Sequence, residues 1–219
     1  MTAGTRYIHA LRFSSLTALY DPVVARTSRE HTFKSALLDG AKLEPGQRLL
    51  DVGCGTGTLT CMAAERVPGL EVHGLDGDLA ILERARRKAA QRGMEISFTQ
   101  ALSFQLPFPD GYFDHALSTL LFHHLNSDAK QGTLTEIHRV LKPGARLHVA
   151  DWGAAQDVLM RAAFLAIQLF DGFETTRDNV GGKLPGMMER AGFTGVRIDA
   201  RFRTMFGTVE IVRAARRCP

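Results

Sequence analysis

The chain has 219 residues, 45% of them hydrophobic, which is enough for one well-packed domain and too little for two large ones. A net charge of +4 and a sequence pI near 9.2 lean basic, but signs are mixed within runs such as Glu83-Arg84-Ala85-Arg86-Arg87-Lys88 and aromatics are only 8%, which argues against a nucleic-acid surface. Cys54, Cys61 and Cys218 are odd in number and lack paired spacing, no stretch approaches the roughly twenty apolar residues of a membrane span, and the start Met1-Thr2-Ala3-Gly4 has no secretory core, so a soluble, cytoplasmic monomer or homodimer is expected.

In chain order, Arg48-Leu49-Leu50 reads as a strand entering Asp51-Val52-Gly53-Cys54-Gly55-Thr56-Gly57, a glycine-rich turn that opens a helix over Thr58 to Arg66. Val67-Pro68-Gly69 stops that helix, and Leu70 to Leu75 is a short apolar strand. Asp78 is placed to cap a second helix carrying Leu79, Leu82, Ala85 and Ala89 on one face and ending near Gly93. Ile96 to Thr99 is a third strand. After the Pro109-Asp110-Gly111 turn, Tyr112 to Thr119 is a fourth. Asn126 or Ser127 caps a helix bearing Leu134, Ile137 and Leu141, and Pro143-Gly144 breaks it before a fifth strand, Arg146 to Ala150. Strands alternating with helices predict a parallel sheet with right-handed crossovers.

Beyond Trp152 the pattern changes. Ala155 to Phe170 is helical, whereas Asp171 to Lys183 is glycine-rich, polar and without periodicity, and reads as a loop and candidate lid. Leu184 to Ala191 is a short helix. Val196 to Phe202 and Thr208 to Arg213, around Gly207, read as an antiparallel hairpin.

A glycine turn at a strand's carboxyl end, followed by a helix with unpaired N–H groups, is a nucleoside-cofactor site. A dinucleotide fingerprint requires glycine where Thr58 stands, so the spacing disfavours a nicotinamide oxidoreductase. Five segments in order carry a family likeness: Asp51-x-Gly53-x-Gly55-x-Gly57; Gly74-Leu75-Asp76; Leu106-Pro107-Phe108 with Phe113-Asp114; Phe122-His123-His124-Leu125; and Arg139-Val140-Leu141-Lys142-Pro143-Gly144 leading into Leu147 to Asp151. With these the chain resembles the class I S-adenosylmethionine-dependent methyltransferases, particularly the bacterial branch that looks like the quinone-ring C-methyltransferases. The resemblance implies an α/β, Rossmann-like fold with a mostly parallel seven-stranded sheet, an antiparallel terminal hairpin and helices on both faces. It also implies one methyltransferase domain over 1–219, comprising an N-terminal helical lid (1–44), a cofactor-binding core (45–152), and substrate-side helices with the hairpin (153–219).

The methyl donor implied is S-adenosyl-L-methionine, and the partner a small-molecule acceptor. Asp76, twenty-five residues after Asp51, stands where a carboxylate accepts ribose hydroxyls, with Gly77 beside it. Asp51 faces the methionine ammonium or braces the turn. Gly53, Cys54, Gly55, Thr56 and Gly57 contribute backbone, and Ser118 joins the cofactor set. Leu102 departs from the resembling families, which often carry an adenine-binding aspartate there; Leu102 packs on the adenine and Ser103 reaches the ring edge instead. His123 and His124 follow the fourth strand and serve as the base that takes an acceptor proton, or shape the cofactor pocket. Tyr20, before the first strand, covers the sulfonium or anchors a helix. Asp151 faces the acceptor crevice, and Trp152 lines it or plugs the sheet edge. The acceptor is expected to be hydrophobic or aromatic and methylated by in-line displacement. A non-catalytic cofactor-binding module, and a lipid head-group methyltransferase at a membrane surface, are the alternatives.

Overall fold

A computed structural model describes residues 30–218. The expectations for Tyr20 and for residues 1–29 of the lid lie outside the described residues. Helix α1 (Glu30–Ala41) is followed by β1 (Arg48–Val52), α2 (Thr58–Arg66), β2 (Glu71–Asp76), α3 (Leu79–Gln91), β3 (Ser97–Gln100) and β4 (Phe113–Thr119). A 3₁₀ turn (Phe122–His124) then leads to α4 (Ser127–Val140), β5 (Leu141–Trp152), α5 (Val158–Asp171), α6 (Phe173–Val180), α7 (Leu184–Arg190), β6 (Phe193–Thr204) and β7 (Gly207–Arg216).

The seven strands form one sheet in the order β3-β2-β1-β4-β5-β7-β6. The first five strands pair in parallel, and β7 runs antiparallel between β5 and β6. A central parallel strand must be apolar on both faces, and β1 shows this directly. Leu49 packs with Phe33 and Leu37 of α1 and Leu59 of α2, whereas Leu50 and Val52 pack with Leu134 and Ile137 of α4 and Met188 of α7. The connections from β1 and from β4 therefore leave to opposite faces. Strand order reverses between those two strands, and the crevice beyond their carboxyl ends is where open α/β sheets bind ligands.

Several expectations change. The fifth strand begins at Leu141, so Pro143-Gly144 lies inside it, but the register jumps from Phe113↔Leu141 to His115↔Arg146. Residues 142–145 thus bulge out opposite one partner, Asp114, because proline has no N–H to give the ladder. Of the two candidate caps of α4, Asn126 is the one used, its side chain accepting from the N–H of Ala129 at 2.9 Å. Asp78 caps α3 as expected, accepting from Ala80 and Ile81, but Leu79 is 48% exposed, leaving Leu82, Ala85 and Ala89 as the packed face. The hairpin outruns its apolar runs, pairing Phe193 with Arg216 and Thr194 with Ala215 at one end and Thr204 with Gly207 at the other, where the Thr204 hydroxyl donates to the Gly207 carbonyl.

The largest correction concerns Asp171 to Lys183. This stretch is mostly helix α6, and its inward face is polar: Thr175, Thr176, Asp178 and Asn179 are buried. A search for apolar residues at helical spacing misses a helix of that kind.

Candidate active site at the carboxyl edge of the sheet

The turn after β1 is held from both sides. Backbone N–H groups of Gly53 and Cys54 donate to the carbonyl of Leu75, and Asp76 Oδ2 accepts from the N–H of Gly55 at 3.0 Å. Gly55 has φ +54°, and a methyl group built on it would meet no protein atom within 4 Å, so the turn is open where a ligand approaches. Gly57 is glycine for another reason, since a Cβ there would lie 3.0 Å from the Ala85 methyl and push α2 from α3. As N-cap of α2, Gly57 offers no side-chain acceptor, leaving first-turn N–H groups of that helix for an anion. Lys88 of α3 donates to the hydroxyls of Thr56 and Thr58 at 3.1 and 3.0 Å, setting a cation beside the turn.

Asp51 is fully buried at the end of β1. Its Oδ2 accepts from the Thr60 hydroxyl at 2.6 Å, whereas Oδ1 has no hydrogen-bond partner. Burial pushes this carboxyl up to about 6, with the Thr60 bond and the charge of Lys34 acting against it. A buried carboxylate oxygen without a donor is costly unless a ligand supplies one. Asp76 Oδ1 accepts from the N–H of Asp78 at 3.0 Å, and burial raises its pKa as well. Gly77 accepts a bond from Gln100 Nε2 through its carbonyl. The Cys54 thiol is buried and its pKa pushed well up by desolvation, so it is chemically quiet and contributes backbone.

Some residues placed by sequence in the cofactor set turn their side chains to the protein. The Ser103 hydroxyl bonds that of Thr133 on α4 at 2.8 Å, and Leu102 beside it is half-buried. The Ser118 hydroxyl donates to the Val52 carbonyl at 2.8 Å, stapling β4 to β1.

Across the crevice, Leu120 adopts φ +54°, a left-handed conformation unusual for a bulky residue, just before the 3₁₀ turn that carries the histidines. His123 Nδ1 lies 2.8 Å from Asp151 Oδ1. That same oxygen accepts from the Trp152 N–H at 2.7 Å and from Asn179 Nδ2 at 3.2 Å, while Oδ2 accepts from the Phe122 N–H at 2.7 Å. Asp151, assigned to the acceptor crevice by its strand-end position, has thus committed its carboxylate to protein donors. The His124 ring lies against that of His123, tilted by 42° with centroids 3.9 Å apart, and burial, reinforced by His123, holds its pKa well below the usual imidazole value. Trp152 is buried against Phe164 of α5 at 5.5 Å and edge-on to His123 at 6.3 Å.

Thr60, Lys88 and Asn179 had no sequence signal, because each acts through a partner distant in the chain. An open glycine cradle, an acidic oxygen lacking a donor and an uncapped helix N-terminus suit a nucleoside joined to a zwitterionic amino acid. Among the described residues no cluster of three or more His, Cys, Asp or Glu is placed to hold a metal ion, and no helix is long and apolar enough to cross a membrane.

A methyltransferase-domain family model matches residues 49–144. The chain is 39% identical over 142 residues to a demethylmenaquinone methyltransferase of Thermus thermophilus, a match spanning 64% of this chain and 64% of that relative. It is 30% identical over 168 residues to an uncharacterized methyltransferase of Synechocystis, covering 77% of this chain and 76% of the relative. The fold superposes with a TM-score of 0.67 on an S-adenosylmethionine-dependent methyltransferase of Aquifex aeolicus, at 21% identity, over 93% of this chain and 97% of that one.

Proposed function

From the premise that the chain belongs to the class I S-adenosylmethionine-dependent methyltransferases, we propose that it methylates a ring carbon of a hydrophobic, hydroxylated aromatic acceptor of the quinone type. The observation that carries the methyl-donor half is the buried, donorless Oδ1 of Asp51 beside the open Gly55 cradle. The relative named for demethylmenaquinone supports the acceptor half. The chain acts as one methyltransferase domain, with 45–152 as its cofactor-binding core and 153–219 on the acceptor side.

When bound, the cofactor supplies an electrophilic methyl group on a sulfonium. In this reading Asp51 Oδ1 receives the ammonium, the first turn of α2 receives the carboxylate, Asp76 accepts the ribose hydroxyls, and Leu102 with Ser103 borders the adenine. Trp152 and Phe164 form an apolar wall, which disfavours the charged ground state and excludes water. His123 takes the acceptor's proton. A ring carbon attacks a methyl cation equivalent only when electron-rich, so the reduced, hydroxylated ring is the reactive form.

The test is incubation with methyl-labelled S-adenosylmethionine and chemically reduced demethylmenaquinone, with the label sought on the ring by mass spectrometry. Ring-methylated product is expected. Transfer from the same donor to a water-soluble acceptor pool but not to this quinol would overturn the acceptor class.

A membrane-presented acceptor is favoured by one surface feature: Val158, Leu159 and Leu169 of α5, Phe173 and the hairpin residue Met205 are all more than half exposed. Co-sedimentation with anionic vesicles, lost on Leu159→Glu with Leu169→Glu, tests it.

A further inference from the structure

We propose that the opposite edge of the sheet holds a second binding site, which takes the phosphate of a small phosphorylated molecule on Arg146, Lys42 and His115. It lies at the amino-terminal ends of the parallel strands, away from the cofactor crevice, and stands independently of the acceptor reading.

Two interruptions of regular structure build the site. Just past α1, Lys42 takes a left-handed φ of +52° and turns the chain into the connection to β1. The 142–145 bulge shifts the start of β5 out of register with β4. Between them is a cavity of about 420 Å³, lined by Lys42, Gln47, His115, Lys142 and Arg146 together with the carboxylates Glu44 and Asp114. That volume falls among small-molecule sites, about 300 to 1,000 Å³, and leaves room for an organic group beyond one oxyanion.

Charge in the cavity is unevenly matched. Asp114 is engaged by the protein, its Oδ1 accepting from Lys142 Nζ at 2.7 Å and its Oδ2 from the Arg48 N–H at 2.9 Å. Glu44 opposes an anion, but it is exposed at the mouth, where solvent and salt screen it. Among the described residues neither Arg146 nor Lys42 makes an ion pair, and both are exposed. The guanidinium of Arg146 stays charged, and its planar fork matches two phosphate oxygens.

His115 supplies an observation of another kind. It is 6% exposed, and its Nδ1 has no hydrogen-bond partner. Burial, and then the charge of Arg146, lower its pKa, so at neutral pH the ring is uncharged and that nitrogen is an unmet polar group. A phosphate monoester presents oxygen acceptors and, in its monoanion, an O–H donor, so it pairs with either tautomer of the ring.

The basic character extends across the sheet. Register sets Arg146 beside His115, Arg213 beside His148 and Arg197 beside Arg213, on one face of β4, β5, β7 and β6. Arg146, Arg197 and Arg213 line an adjoining depression of about 280 Å³, where Asp199 accepts from Arg197 at 2.8 Å and lies 3.5 Å from Arg213. Arg146 borders both depressions, and the site depends on it.

The test is a titration of the full-length protein, labelled with ¹⁵N-histidine, with glycerol 3-phosphate at constant ionic strength. Saturable shifts of the His115 and His148 ring resonances are expected. Arg146→Gln should weaken binding roughly 10- to 100-fold. Arg84→Gln, the same charge change at an exposed position of α3, should leave it unchanged. Co-sedimentation with phosphatidylglycerol vesicles, in a Leu159→Glu, Leu169→Glu background that removes the apolar face of α5, separates two sources of the phosphate. Vesicle binding lost in Arg146→Gln assigns the site to a lipid headgroup, whereas glycerol 3-phosphate binding without vesicle binding assigns it to a free phosphoester. The absence of both saturable shifts up to about 10 mM and Arg146-dependent vesicle binding overturns the site. Shifts that survive Arg146→Gln, or that weaken equally in Arg84→Gln, overturn it as well.

Discussion

If Asp51 Oδ1 receives the methionine ammonium, cofactor affinity carries the signature of its titration. In the free protein burial has raised this carboxyl to about 6, and only the ionised form serves the ammonium. A bound cation at that oxygen draws its pKa far down. Affinity then falls with acid between about pH 6 and the lower value in the complex. From pH 7.5 to 5.0 the ionised fraction drops from nearly all to about one in eleven, a loss of affinity of roughly tenfold, or about 1.4 kcal/mol. Isothermal titration with S-adenosylhomocysteine, which shares the amino-acid part, measures it, and adenosine, which lacks the ammonium, is the internal control. Asp51→Asn should bind more weakly at pH 7.5 and without this slope. Thr60→Val, which removes the 2.6 Å bond that favours ionisation, should move the midpoint above 6. A flat profile in the wild type, or an equal slope for adenosine, would refute the assignment.

Other outcomes follow from single residues. His148 is fully buried with neither ring nitrogen bonded, and burial lowers its pKa to about 4. Its folded value lies below the usual 6.5, so the stability it carries is present above 6.5 and lost as pH falls toward 4, by up to about 3 kcal/mol. Asp51, with its folded value raised, contributes in the opposite sense, its stability being lost as pH rises through about 6. His148→Leu should therefore stay stable to lower pH than the wild type in urea unfolding; an unchanged acid limb contradicts the buried neutral ring. Leu102→Asp should tighten cofactor binding by restoring a charged hydrogen bond worth about 1.5 to 3 kcal/mol, and an equal or weaker dissociation constant would show that Leu102 does not border the adenine. Gly55→Ala meets no atom but imposes a left-handed φ on alanine, so thermal stability should fall by about 1 kcal/mol while cofactor affinity falls much more. Comparable losses in both would argue against a ligand over that turn.

What the sequence revealed and what it concealed divide along physical lines. The strand-turn-helix at Asp51 to Gly57, helix α2 to its terminal residues, the cap at Asp78 and the antiparallel hairpin were legible because each is set by local rules of periodicity, capping and glycine conformation. The strand through Pro143 was hidden because a bulge breaks the pattern that marks a strand, and α6 because its buried side chains are hydroxyl, amide and carboxylate. For the candidate site, the placement of His123 just past the fourth strand and of Asp151 at the end of the fifth was readable. Their pairing across 28 residues was not, nor the partner Asn179 a further 28 residues on, because hydrogen bonds between distant segments leave no periodic trace.

Helix α6 is held by an unusual kind of contact. Buried Lys130 donates to the Thr175 carbonyl, Ser127 and Lys183 bond Asp178, and Gln168 bonds Thr176. Detaching this helix exposes polar groups that water can satisfy, and little hydrocarbon. Such an opening has a small dependence on denaturant and a small heat-capacity change, so it follows a different temperature course from global unfolding. The edge of the sheet at Asp151 thus has Trp152 packed on Phe164 to one side and a seam of hydrogen bonds to the other, and the two sides loosen under different conditions.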